Sequence, residues 1–238
     1  MEVYQDSLVS FRPSYPAFLL HNGNGCSDFI LKHGIPERDL IEWAKQFVHN
    51  NTVFVDCGAH CGTWAIILAP LCLKVFAFEA QRRTYLQLCG SIALNNMDAS
   101  VFPFHVALGN QDDKVAHLSV ISHDGGGSYI DNSESDQIQP ISVEKIQMKR
   151  LDAFGELFEK QISLIKIDCE GTEAMIIDGA RKLLESQKKK YGVMPKIIFE
   201  CWPHLKQPVR VLLFANLSAI GYKTTMIHGY NNMYLAYE

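Results

Sequence analysis

The chain has 238 residues, 47% hydrophobic and 20% charged, a composition that excludes a disordered or fibrous protein. A formal net charge of −4 leaves no global basic excess to track phosphates, so no nucleic-acid partner is expected. Seven irregularly spaced cysteines fit free thiols in a reducing compartment better than a secreted disulfide framework.

The opening MEVYQDSLVSFRPSYP lacks the charged start and apolar core of a signal peptide. No apolar run reaches the ~18 residues of a membrane helix. A soluble cytoplasmic protein with no membrane partner is expected, as one domain over 1–238. Residues 1–50 read as a cap, with Pro13, Pro16 and Asn22-Gly23-Asn24-Gly25 punctuating short apolar pieces. The cap ends in a helix over Glu37–Val48, whose Leu40, Ile41, Ala44 and Val48 share one face.

The core, 51–238, then turns regular. VFVD (53–56) reads as a strand buried on both faces, followed by a helix over 63–71. A strand at 75–79, a helix over 82–96 and a strand at 101–108 complete a β-α-β-α-β run. Two alternating strands, 114–121 and 142–151, read as exposed and joined by a mobile loop holding Gly125-Gly126-Gly127-Ser128. Strands at 162–168, 195–201, 222–228 and 233–238 follow, with helices over 172–185 and 209–220 between them. The last two strands read as an antiparallel hairpin. The pattern predicts an α/β fold: a doubly wound, mostly parallel seven-stranded sheet with helices on both faces.

In such sheets ligands bind beyond the carboxyl ends of the strands. Asp56-Cys57-Gly58-Ala59-His60-Cys61-Gly62 lies there, with Thr63 opening the next helix. The run lacks the middle glycine of a dinucleotide fingerprint, and Asp56 would repel a phosphate. Glu79 ends the second strand about 20 residues on, where an acid commonly accepts a ribose diol. Two acids and a glycine turn suit an adenosine with an amino-acid tail and no phosphates, which is S-adenosylmethionine. A second cluster, Lys166-Ile167-Asp168-Cys169-Glu170-Gly171-Thr172-Glu173, follows the fourth core strand. Asp168 is a candidate general base or contact for the cofactor amine. Glu200, and Glu170 beside it, could share the work, or the acids could hold a divalent ion. Glu173 reads equally well as a helix cap. In the loop, His123, Asp124 and Ser128 offer hydrogen bonds to an acceptor, and Tyr129 a ring to stack on a sugar face. Trp202 and His204 are further acceptor-side candidates.

These segments together resemble the FkbM-type S-adenosylmethionine-dependent methyltransferases. The matching pieces are VFVDCGAHCGTWAIIL, VFAFEAQRRTYLQLCGSIALNN, HVALGN, GGGS, MKRLD, LIKIDCEGTEAMIIDGARKLL and KIIFEC, in the family's order over roughly 50–202. GYNNMYLA is similar to the ends of FkbM-type proteins of large DNA viruses, which would place the chain in a host cytoplasm. The resemblance implies strand order 3-2-1-4-5-7-6 with the seventh antiparallel. It implies cofactor contacts from Asp56, Gly58, Ala59, His60 and Gly62, with Thr63 and Ala80 adjoining, ribose contact from Glu79 and adenine contacts near Ala107 and Leu108. His60 stands where the family commonly has Asn. The implied reaction is O-methylation of a hydroxyl-bearing acceptor, a sugar or glycan foremost. An RNA or natural-product acceptor and a non-catalytic partner-binding subunit are the alternatives.

Overall fold

The computed structural model describes residues 7–12, 15–21, 25–123, 125–130, 139–203 and 207–238. An antiparallel hairpin, β1 (Ser7–Arg12) and β2 (Tyr15–His21), leads to helices α1 (Gly25–His33) and α2 (Arg38–Ala44). α2 is the expected cap helix, tightening into a 3₁₀ turn over Lys45–Phe47. Core elements follow as β3 (Val53–Cys57), α3 (Thr63–Leu68), β4 (Lys74–Glu79), α4 (Arg82–Leu94) and β5 (Val101–His105). Then come the short β6 (Ala107–Leu108), β7 (Lys114–Val120), β8 (Tyr129–Ile130) and β9 (Ser142–Lys149). The chain continues through β10 (Ile162–Ile167), α5 (Glu173–Asp178), α6 (Arg181–Tyr191) and β11 (Lys196–Glu200). It closes with α7 (Gln207–Ile220), β12 (Lys223–Met226) and β13 (Met233–Tyr237).

The main sheet has order β12-β13-β11-β10-β3-β4-β5, the expected 3-2-1-4-5-7-6 counted over its own strands. β13 runs antiparallel to both neighbours, and the other pairings are parallel. Every residue of β3 is buried, as a parallel strand covered on both faces requires. One face packs Val55, Phe76, Phe78, Ile165 and Phe199 under residues of α5, α6 and α7. The other packs Phe54 and Val75 under α3, α4 and the N-terminal elements, including Phe18, Leu20, Leu40 and Ile41. Asn95 anchors β2 by accepting the Ala17 N–H at 3.0 Å and donating to its carbonyl at 2.7 Å. Gly90 leaves room for Leu19, whose Cδ2 lies 2.6 Å from where a Cβ would sit.

Three expectations need correction. The strand expected over 101–108 is cut at Val106: β5 pairs with β4, whereas β6 pairs with β9 in a second, four-stranded sheet of order β6-β9-β7-β8. Pro103 is tolerated because β5 is the sheet edge, where the missing N–H opposes no strand. The two alternating strands pair antiparallel as β7 and β9 and bury one face, with Ala116, Leu118, Val120, Ile146 and Met148 inside. The helix expected over 172–185 breaks at Gly179-Ala180, where the Gly179 carbonyl accepts the Asp152 N–H at 3.0 Å and a Cβ would fall 2.0 Å from the Gly109 carbonyl oxygen. Asp152 then starts α6 from outside, accepting the Leu183 N–H at 2.8 Å and the Lys182 N–H at 3.3 Å.

Candidate active site

β3 and β10 are neighbours, and the chain leaves β3 toward β4 on one side while β10 leads to β11 on the other. This is the switch point, where strand ends leave a crevice. A cavity of about 300 Å³ opens there, at the lower end of the range for small-molecule sites.

The turn after β3 is fixed by its neighbours. Gly58 and Ala59 both donate N–H groups to the Phe78 carbonyl at 2.9 Å, and Gly62 donates to Ala59 O at 2.9 Å. Gly58 (φ 78°), His60 (φ 54°) and Gly62 (φ 97°) all take left-handed backbone. A Cβ on Gly58 would lie 1.9 Å from the Asp168 carbonyl oxygen, so the adjoining strand end demands that glycine. Glu79 joins the turn to β4: Oε2 accepts the His60 N–H and Oε1 the Gln81 N–H, both at 2.9 Å. Burial pushes Glu79 up to about 7, against the pull of those two N–H groups.

Across the cavity Lys166, only 3% exposed, projects from β10. Its ammonium donates to Gly58 O at 2.7 Å and lies 3.2 Å from Asp168 Oδ2 and 3.8 Å from Asp56 Oδ1. Burial works against this ammonium, but Asp168 and Asp56 overcome it and its pKa is raised. Burial pushes Asp56 up to about 6 despite Lys166. Glu170, with φ 52°, accepts the Gly127 N–H at 3.0 Å and so ties the glycine loop to the β10 end. Glu173 is fully engaged in shaping that end: its Oε1 accepts the Cys169 N–H at 2.9 Å and the Gly171 N–H at 3.2 Å. Glu200 accepts an N–H of Asn232 at 2.9 Å. Burial, reinforced by the negative charges of Asp168, Glu170 and Glu173, holds Glu200 far above the usual carboxylate range. Its side chain lies within hydrogen-bond reach of Asp168.

Of the candidates read from sequence, Gly58, Ala59, His60, Thr63, Glu79, Ala80, Ala107, Leu108, Ser128, Asp168 and Glu170 line this one cavity. Asp56 does not; it is completely buried behind Lys166. Gly62 packs on Leu88, 2.8 Å from a would-be Cβ, and is likewise outside. Glu200 and Trp202 do not line it either. His123 is exposed, away from the cavity. Tyr129 is 8% exposed, opposite Ser119 in the β7–β8 pair, and does not line the cavity. Ser128 lines the cavity, but its hydroxyl donates to Gln81 Oε1 at 2.7 Å and accepts the Ile121 N–H at 3.1 Å. Asp124 and His204 lie outside the described residues. Sequence reasoning missed Lys166, Glu37 and Gln81, all of which line the cavity. A lysine inside the apolar run ISLIKI was the available signal for the first, because a buried ammonium needs partners. Among the described residues no three His, Cys, Asp or Glu side chains are grouped to hold a metal ion, so the divalent-ion alternative finds no ligand set there. No helix among them is long and apolar enough to cross a membrane.

A family profile described as "Methyltransferase FkbM domain" matches residues 56–214. The fold is similar to that of the methyltransferase FkbM from Methylobacillus flagellatus KT, at 16% identity and TM-score 0.53, covering 79% of this chain and 44% of that one. It is also similar to precorrin-6y C5,15-methyltransferase from Geobacter metallireducens GS-15, at 11% identity and TM-score 0.50, covering 87% and 91%. A third likeness is the Pyrococcus abyssi tRNA (uracil-54, C5)-methyltransferase in complex with S-adenosyl-L-homocysteine, at 12% identity and TM-score 0.50, covering 98% and 44%. The chain thus spans under half the length of the first and third of these. At such identities the likeness is one of fold alone. No curated protein matches the chain.

Proposed function

The chain belongs to the FkbM family of S-adenosylmethionine-dependent methyltransferases, and from that premise we propose that it methylates a hydroxyl oxygen of a sugar or glycan. One observation carries the reading: a single cavity unites the Glu79-bound turn with Asp168.

The residues present fit the cofactor. Each Glu79 oxygen accepts one N–H and keeps a further lone pair, which suits a ribose diol. Ala107 and Leu108, with Leu118 and Ile130, form an apolar wall for adenine. Glu37, Glu79, Asp168 and Glu170 outnumber the one lysine lining the cavity, which favours a ligand bearing positive charge. When bound, S-adenosylmethionine supplies an electrophilic methyl group on a sulfonium. Asp168 takes the proton of the acceptor hydroxyl, a contribution of about 10²–10⁴-fold. Lys166 holds that carboxylate in place, and the loop at Gly125–Ser128 closes the cavity to water. The sugar or glycan class of the acceptor rests on the family resemblance.

The test is transfer of isotope-labelled methyl from S-adenosylmethionine to fractionated glycans, small molecules, RNA and protein, with Asp168→Asn beside the wild type. We expect label in a carbohydrate fraction, lost in the variant. Label in RNA alone would replace the acceptor class. Cofactor binding without label in any fraction would favour a partner-binding role.

A further inference from the structure

The family match begins at Asp56, yet the cavity is completed by residues that precede it: Cys26, Pro36 and Glu37. Glu37 is the odd one. It stands at the start of α2 in left-handed backbone, φ 52° and ψ 25°, which side chains with a Cβ rarely adopt. Its carbonyl accepts the Ile41 N–H at 2.9 Å and begins the helix, but its carboxylate makes no capping bond. Instead Oε2 accepts the indole N–H of Trp64 at 3.1 Å. Trp64 is 3% exposed and sits in the first turn of α3, directly after the cofactor turn. A strained residue has thus been placed to hold an anion at a fixed point of the cavity.

That anion lacks a dedicated countercharge. Lys166 is committed to Gly58 O, Asp168 and Asp56, and no ion pair involves Glu37 among the described residues. Burial, with Asp168 next, raises its pKa. The ribose-binding acid, Glu79, and the apolar wall belong to β4 and the small sheet. The turn from Gly58 to Thr63 is bound to Glu79 at His60 and continues into α3, where Trp64 holds Glu37. A ligand anchored by its adenosine at Glu79 and following this turn brings its amino-acid tail to Glu37.

We propose that Glu37 binds the ammonium group of the cofactor's amino-acid tail, so that the segment before the family domain selects for a ligand with an intact tail. This rests on the S-adenosylmethionine reading above. The amine of a bound tail supplies the missing positive partner, and the Trp64 bond presets the carboxylate that receives it.

The experiment is isothermal titration of the full chain with S-adenosylhomocysteine and with 5′-methylthioadenosine, which share the thioether adenosine and differ in the tail. Wild type should bind the first more tightly. Glu37→Gln keeps the shape and can still accept from Trp64. It should weaken S-adenosylhomocysteine about 10- to 100-fold, the loss of a charge-assisted hydrogen bond, while 5′-methylthioadenosine stays within two-fold. Trp64→Phe, which frees the carboxylate without removing it, should give a smaller loss with the same ligand selectivity. Unchanged S-adenosylhomocysteine affinity in Glu37→Gln overturns the proposal and leaves the cofactor reading standing. Equal weakening of both ligands in both variants overturns it too, as general damage to the cavity. A wild type that binds neither ligand overturns the cofactor reading itself, and this inference with it.

Discussion

Replacing Lys166 with Met should destabilise the fold in a way that depends on pH. The side chain is 3% exposed and its ammonium is the nearest positive charge to the fully buried Asp56. Asp56 is pushed up to about 6 from an ordinary 3.8, so about two pH units, or about 3 kcal/mol, already oppose the wild-type fold at pH 8. The sign follows from proton binding. Between about pH 4 and 6 the folded chain keeps a proton on Asp56 that the unfolded chain releases, so this carboxyl favours folding less as pH rises through that window. Above it the carboxylate is charged and leans on Lys166. Removing the ammonium then strands a buried charge, at a cost of about 3–5 kcal/mol. At pH 5 Asp56 is mostly neutral, and the variant loses chiefly the bond to Gly58 O, about 1 kcal/mol. Asp168, 3.2 Å away, loses the same partner, and the double variant below separates its share from that of Asp56. Urea unfolding followed by circular dichroism at pH 5 and pH 8 measures the difference. The double variant Lys166→Met, Asp56→Asn should recover most of the loss at pH 8. A loss of equal size at both pH values, or one below about 1 kcal/mol at pH 8, refutes the assignment of Lys166 as the counterion of Asp56.

Asp168→Asn should bind S-adenosylhomocysteine within a few-fold of wild type and lose about 10²–10⁴ in methyl transfer; full turnover would remove the general base from this position. Gly58→Ala should unfold the chain or cost several kcal/mol, because its Cβ would meet the Asp168 carbonyl oxygen at 1.9 Å, and a normal thermal melt would contradict that packing. Gly125→Ala, at φ 90° and with a Cβ 2.7 Å from Thr84 Oγ1, should displace the loop. Steady-state kinetics should then show a raised acceptor KM with cofactor affinity kept, whereas unchanged kinetics would make the loop a mere connector.

The main sheet was legible because buried parallel strands write themselves as unbroken apolar runs, such as VFVDC and KIIFE, separated by helical spacing. The turn at Gly58 and the acid at Glu79 could be placed beside one cavity because both end core strands. What was lost depended on contacts distant in sequence. Nothing local marks Val106 as the point where the chain leaves one sheet for another, since the residues on both sides favour a strand. Gly179, where a helix breaks, packs against a carbonyl 70 residues earlier, at Gly109. Asp56 and Tyr129 have the right chemistry for a site, but both are buried and neither lines the cavity, and burial is a property of the assembled layers. Glu37 was invisible for the opposite reason: it reads as an ordinary acid at the start of a surface helix.

The contact between Gly58 and the Asp168 carbonyl has an evolutionary consequence. With no side chain between them, the turn after β3 and the end of β10 form a single inflexible block, and neither can drift without the other. The loop at Gly125–Ser128 lies outside that block and is tied to it by the Gly127 N–H on Glu170. A lineage could therefore exchange its acceptor by rewriting that loop while inheriting the cofactor-holding parts unaltered. Diversity among descendants should concentrate there, and the glycine beneath the base should be among the last residues to change.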